Sequence, residues 1–220
     1  MMKIPHDFVK KLRSLHNALK RQSGASANDD LTDPVEQLLL SILAGNNSIQ
    51  QAQRALKAVC QHIVDFNDLR VTPVPELAEM LGKEISNPEE AAQAIVRTLK
   101  WIFCRFDTMS LKYLREQQNG VLKSMFEEIP GCPDHARMAM LLLSLGISVF
   151  PIDEAMLAYL VKNGILPEGV SLKEGEGFVQ RHLKTGEIKQ FYLNLKHASE
   201  HPHSAGRKTV KKKTANKKQE

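Results

Sequence analysis

Apolar residues recur along this chain at intervals of three and four, the spacing that lines one face of an α-helix. No run alternates as a half-buried strand would. Phe8, Leu12, Leu15 and Leu19 define a first helix over about Pro5–Lys20, followed by a polar connection at Gln22–Asp30. Thr32 or Asp33 caps a second helix with Pro34 in its first position. Its apolar residues Val35, Leu38, Leu39 and Ile42 run to a break at Gly45-Asn46-Asn47. Ser48 caps a third helix ending near His62. Beyond a proline-punctuated region around Thr72–Gly82, Asn87-Pro88-Glu89-Glu90 starts a long helix. Its apolar face is Ile95, Leu99, Ile102, Phe103 and Phe106. A shorter helix over about Val121–Glu128 leads into Ile129-Pro130-Gly131-Cys132-Pro133-Asp134-His135, and an apolar helix then runs to Leu145. Pro151-Ile152-Asp153 opens another helix to about Lys162, and segments near Leu172–Leu183 and Glu187–His197 complete the pattern. The expected fold class is all-α.

Composition narrows this picture. The chain has 220 residues, 42% of them hydrophobic and 25% charged, enough to bury a substantial core in one domain or two small lobes. The longest apolar stretch, Met138–Ile147, falls far short of the ~20 residues that cross a bilayer, so no membrane association is expected. The N-terminal segment reads as an amphipathic basic helix, not as a secretory signal. Cys60, Cys104 and Cys132 are widely spaced and odd in number. They fit neither a disulfide framework, nor a structural zinc site, nor a four-cysteine iron–sulfur cluster. No metal and no cofactor are expected.

The net charge of +5 is unevenly spread: residues 201–220 carry +6, residues 1–27 carry +5, and the stretch between them carries −6. A lysine-rich tail of this kind reads as a disordered, solvated segment. It also attracts polyanions through counterion release, without reading sequence.

Two features carry candidate chemistry. The first is the helix–turn–helix at 129–135. A short glycine-containing turn presents backbone N–H groups at the start of the second helix, where the helix dipole helps hold a phosphate. An ordinary αα-hairpin is the alternative. The second is Asp153, which follows Gly131 by 22 residues. It is either a functional carboxylate or a helix N-cap.

In order and spacing, these segments resemble the endonuclease III or helix-hairpin-helix DNA glycosylase family. That family's pattern is Leu-Pro-Gly-x-Gly, an apolar helix, a glycine, then Val-Asp. The segments DPVEQLLLSILAGNNSIQQAQRALKAV, NGVLKSMFEEIPG and IDEAMLAYLVKNGILPEG extend the resemblance over about Asp33–Gly169. The resemblance implies a two-lobed fold. Residues 31–146 would form a helical barrel with the hairpin at 129–135, residues 1–30 and 147–200 a discontinuous second lobe, and 201–220 a disordered basic tail. It further implies that double-stranded DNA lies across the cleft with a nucleotide flipped into a pocket. Asp153 would stabilise positive charge developing on the sugar. Asn46 would fill the gap in the stack, and Ile129, Gly131, Cys132 and Pro133 would meet the DNA backbone.

The departures matter equally. The family's second hairpin glycine is Pro133, which lacks an N–H, and Asp134 brings negative charge to a phosphate site. The lysine that bifunctional members use as a Schiff-base nucleophile is matched by His135, whose imidazole forms no imine. The resulting expectation is a monomeric, monofunctional base-excision repair glycosylase without Schiff-base lyase activity. Asp153 and His135 would be its catalytic residues, and its location cytoplasmic and nucleoid-associated, or nuclear in a eukaryote. The alternatives are a non-catalytic DNA-binding protein of the same fold and a protein-interaction domain.

Overall fold

The structure is a computed structural model that describes residues 6–22, 33–127 and 129–200. The basic tail read at 201–220 lies outside the described residues. Within them the chain is built from helices: α1 (His6–Gln22), α2 (Pro34–Leu43), α3 (Ile49–Cys60), α4 (Phe66–Val71), α5 (Val74–Leu81), α6 (Pro88–Phe106), α7 (Asn119–Met125), α8 (Asp134–Ser144), α9 (Glu154–Lys162), α10 (Leu172–His182) and α11 (Thr185–Glu200). Short 3₁₀ turns follow α5 and precede α7. No strand occurs among the described residues, so the chain is all-α there. None of the described helices is long and apolar enough to cross a membrane.

Helix boundaries follow local chemistry. Asp33 caps α2 by accepting from the amides of Val35 and Glu36, with Pro34 at the first position, where its missing N–H costs nothing. Ser48 and Gln51 close a reciprocal capping box on α3, and Ser171 and Glu174 do the same on α10. The proline-punctuated region, to which the sequence assigned no element, holds α5, and α4 precedes it. Pro73 sits at the N-cap of α5 and Pro75 in its first turn. There a proline starts a helix instead of breaking one.

α2 is the centre of one group of helices. Val35, Leu38, Leu39 and Leu43 are fully buried, and the helix packs against α3, α6 and α8. Each such side chain contributes about 1.5–3 kcal/mol by leaving water. α5 packs on α3 and α6, and α4 packs on α6. Elsewhere α11 packs against α1 and α9, and α10 packs against α9. Phe150, Phe178 and Phe191 fill the space among them, all fully buried. The 45–48 loop, the 129–135 hairpin and the start of α9 therefore come together around the end of α2.

Candidate active site

The hairpin is a tight turn. Gly131 adopts a left-handed backbone, φ +74°, and a Cβ there would lie 3.2 Å from Cδ of Arg97 on α6. Glycine meets both demands. The Cys132 N–H is spent within the turn on the Ile129 carbonyl, at 3.1 Å. Pro133 caps α8 without a side-chain hydrogen bond. Burial pushes the Cys132 thiol up to about 12 against the opposing contacts of Thr98 and Arg137, so it carries no thiolate near neutral pH. Ile129 is buried and packs into the core. The negative charge of Asp134 is met locally: Arg137 holds it at 2.6 Å and donates to the Phe126 and Glu127 carbonyls at the end of α7. Arg137 thus ties both arms of the hairpin together.

Asp153 is an N-cap and also more than one. Its Oδ1 accepts from the Met156 amide at 2.8 Å, while Oδ2 receives a hydrogen bond from Lys196 Nζ at 2.7 Å. Both side chains are nearly inaccessible, Asp153 at 6% and Lys196 at 4% exposure. The same ammonium donates to the Ala44 carbonyl at 2.9 Å and lies 3.6 Å from Glu200. A buried charge is tolerated only when paired and hydrogen-bonded, and these contacts meet both conditions.

His135 stands across from this group. Its Nε2 lies 3.2 Å from the Ser41 carbonyl, which can only accept, so Nε2 carries the proton and Nδ1 is the basic nitrogen. Its ring lies against the bare backbone of Gly45, where a Cβ would fall 2.7 Å from both Cε1 and Nε2. Burial holds the imidazole below its ordinary range. Asp153, the Ser41 carbonyl and Asp134 oppose that shift, and Lys196 reinforces it. His135 is therefore neutral near neutral pH.

The sign of this shift makes a prediction. The unfolded chain takes up the proton at the ordinary imidazole value of about 6.5, while the folded chain takes it up at a lower pH. This group accordingly removes stability as pH falls from the ordinary value to the folded one, and His16 acts in the same sense. In a histidine NMR titration, His135 should titrate below the free value. Asp153→Asn should lower it further, and Lys196→Met should raise it. A His135 titration indifferent to both substitutions would separate the ring from the pair.

His135 lines two cavities. One, of about 320 Å³, is bounded by Gln37, Ser41, Tyr192, Lys196 and Asp153. That volume is at the lower end for small-molecule sites. Burial keeps the Tyr192 phenol protonated well above its ordinary value, with Asp153 and Glu200 acting in the same direction. The other cavity, of about 350 Å³, is bounded by Asn46, Asn47, Arg97, Gly131 and Pro133. The two asparagines of the loop differ. Asn47 is structural: its amide donates to the Leu43 carbonyl at 2.8 Å and its oxygen accepts from the Ser86 amide at 2.9 Å. Asn46 is exposed, without a side-chain hydrogen bond among the described residues.

The structure thus brings Asp153, His135 and the end of α2 around one cavity, and Asn46, Gly131 and Pro133 around its neighbour. Trp101 belongs to neither; it packs on Phe106 and Phe126. Phe103 lies under the Arg70 guanidinium. Lys196, Glu200, Arg97 and Arg137 escaped the sequence reading. A signal for the first two existed: Tyr192, Lys196 and Glu200 recur every fourth residue, a stripe along one face of α11.

The sequence matches no family model, and it matches no curated protein. Its fold is nevertheless shared with solved structures. A trapped endonuclease III–DNA covalent intermediate superposes with a TM-score of 0.69 at 13% identity, over 86% of this chain and 85% of that one. The Clostridium acetobutylicum 8-oxoguanine glycosylase/lyase in complex with DNA gives 0.65 at 18%, over 90% and 71%. The 3-methyladenine DNA glycosylase MagIII of H. pylori, bound to 1,N6-ethenoadenine, gives 0.60 at 16%, over 88% and 96%. The chain has the helix-hairpin-helix DNA glycosylase-like fold.

Proposed function

We propose that this chain is a DNA N-glycosylase of base-excision repair, which hydrolyses the bond between the sugar and a damaged or mismatched base in duplex DNA. The observation that carries this reading is the buried Asp153 carboxylate beside a cavity lined by a neutral imidazole, within a fold shared by DNA glycosylases. In this reading DNA lies between a barrel lobe, 31–146, and a second lobe formed by 1–30 and 147–200. The flipped base enters the cavity lined by Gln37, Tyr192 and His135. Cleavage leaves electron deficiency at C1′, and the fixed carboxylate of Asp153 stabilises it without reorganising. His135 Nδ1 accepts a proton from the attacking water. Asn46, exposed at the loop tip, takes the space of the flipped nucleotide. His135 offers no primary amine, so an imine on the hairpin is chemically closed.

One observation favours a second reading. Both oxygens of Asp153 already hold hydrogen bonds, as they would in a purely structural cap of a DNA-binding protein. The test is a panel of duplexes with different lesions, scored separately for base release and strand scission. Release that leaves an intact abasic strand supports the hydrolytic glycosylase. DNA binding without release from any lesion supports the non-catalytic protein.

The hairpin makes a further prediction. With the Cys132 N–H engaged and Pro133 lacking one, backbone donors are fewer, and Arg97 beside Gly131 is placed to supply charge to a phosphate. Arg97→Ala should weaken binding to any duplex and reduce the slope of log affinity against log salt by about 1. An unchanged slope would remove Arg97 from the interface.

A further inference from the structure

Two charged residues on α11, one helical turn apart, hold the two ends of the 45–48 loop. Lys196 donates to the Ala44 carbonyl, just before the loop, at 2.9 Å. Glu200 accepts from the Ile49 amide, just after it, at 3.1 Å. The Ile49 N–H is one of the amides that an α-helix start leaves without a partner, and the Ala44 carbonyl lies at a helix end. A cation at the end of α2 and an anion at the start of α3 each also match the local helix dipole. Lys196 simultaneously holds Asp153 at 2.7 Å. Asn47 braces the inside of the loop, so Asn46 stands exposed on a backbone fixed at both flanks.

We infer that Lys196 and Glu200 are positioning residues, a clasp from α11 that keeps the Asn46 loop in register with Asp153. This rests on the glycosylase reading, because only there do the loop and the carboxylate act on the same nucleotide. Opening a base stack costs a few kcal/mol. A loop free to retreat would yield under that load, whereas one anchored to α11 transmits it to the pocket. The clasp therefore couples wedging of the duplex to the placement of the aspartate, through the single ammonium shared by Ala44 and Asp153.

Glu200→Ala is the sharpest variant, because it opens one side of the clasp and leaves the Asp153–Lys196 pair in place. Two measurements read it. In the free protein, hydrogen exchange of the amides at 45–49 should accelerate in Glu200→Ala and return toward wild type in Glu200→Gln, whose side-chain oxygen still accepts from Ile49. On DNA, the wild type should prefer a duplex carrying a tetrahydrofuran abasic analogue to the undamaged duplex of the same sequence. Glu200→Ala should cut that preference by about tenfold or more without changing the salt slope, and Lys196→Arg should retain most of it. Exchange at 45–49 indifferent to Glu200→Ala would overturn the clasp whatever the DNA results. Faster exchange with an unchanged preference would overturn its role in positioning. A wild type that binds both duplexes alike would instead sink the glycosylase reading and the coupling with it, leaving the exchange data to report only a structural staple.

Discussion

Asp153→Asn is expected to slow base release by several hundredfold, in the range seen when a fixed group stabilising transition-state charge is removed, while leaving the protein folded and bound to DNA. Asparagine is nearly isosteric and can still accept from the Met156 amide, so the cap on α9 survives. Lys196 loses one of its two carboxylate partners but keeps the Ala44 carbonyl and the neighbouring Glu200. Stability should therefore fall by about 1–3 kcal/mol, the scale for one weakened buried polar contact. The measurement is single-turnover base release at saturating enzyme, alongside duplex affinity and urea denaturation. Undiminished turnover would make Asp153 a cap only and hand the site to the non-catalytic reading.

Lys196→Met should have the largest effect on stability. It removes the one ammonium that Asp153 and Glu200 share, and the Asp153 and Glu200 side chains are only 6% and 9% exposed. Removing one partner of a buried ion pair leaves an uncompensated charge, at a cost of about 3–5 kcal/mol. The double variant Asp153→Asn/Lys196→Met should be more stable than Lys196→Met alone, because the charge most deeply stranded by the loss is then also gone. A double-mutant cycle in urea gives the coupling between the two. Additive losses would mean that water reaches Asp153 in the variant and that the pair contributes little.

Most of the fold was legible because its signals act within one or two helical turns. The face of α6 at Ile95, Leu99, Ile102 and Phe106, and the caps at Asp33 and Ser48, each reflect interactions between residues three or four apart. The hairpin at 129–135 and the position of Asp153 before α9 came from the same kind of local order. At α5, which the sequence reading left unassigned, one residue type has two meanings: proline ends a helix that precedes it and begins one that follows.

The candidate site was only half legible. Asp153 and His135 stood out through a resemblance in spacing, yet nothing near them in sequence announced that a lysine 43 residues beyond Asp153 would bind it. In one dimension Lys196 is one member of a stripe with Tyr192 and Glu200 along α11, and nothing in the stripe says what it faces. Its role depends on α11 packing across α9 and the end of α2, and on the loss of water that packing brings. Caps and periodicity are settled by neighbours along the chain, so the sequence determines them. Which buried charge meets which, and which nitrogen of His135 is left basic, is decided by desolvation and by partners that only the tertiary structure brings together.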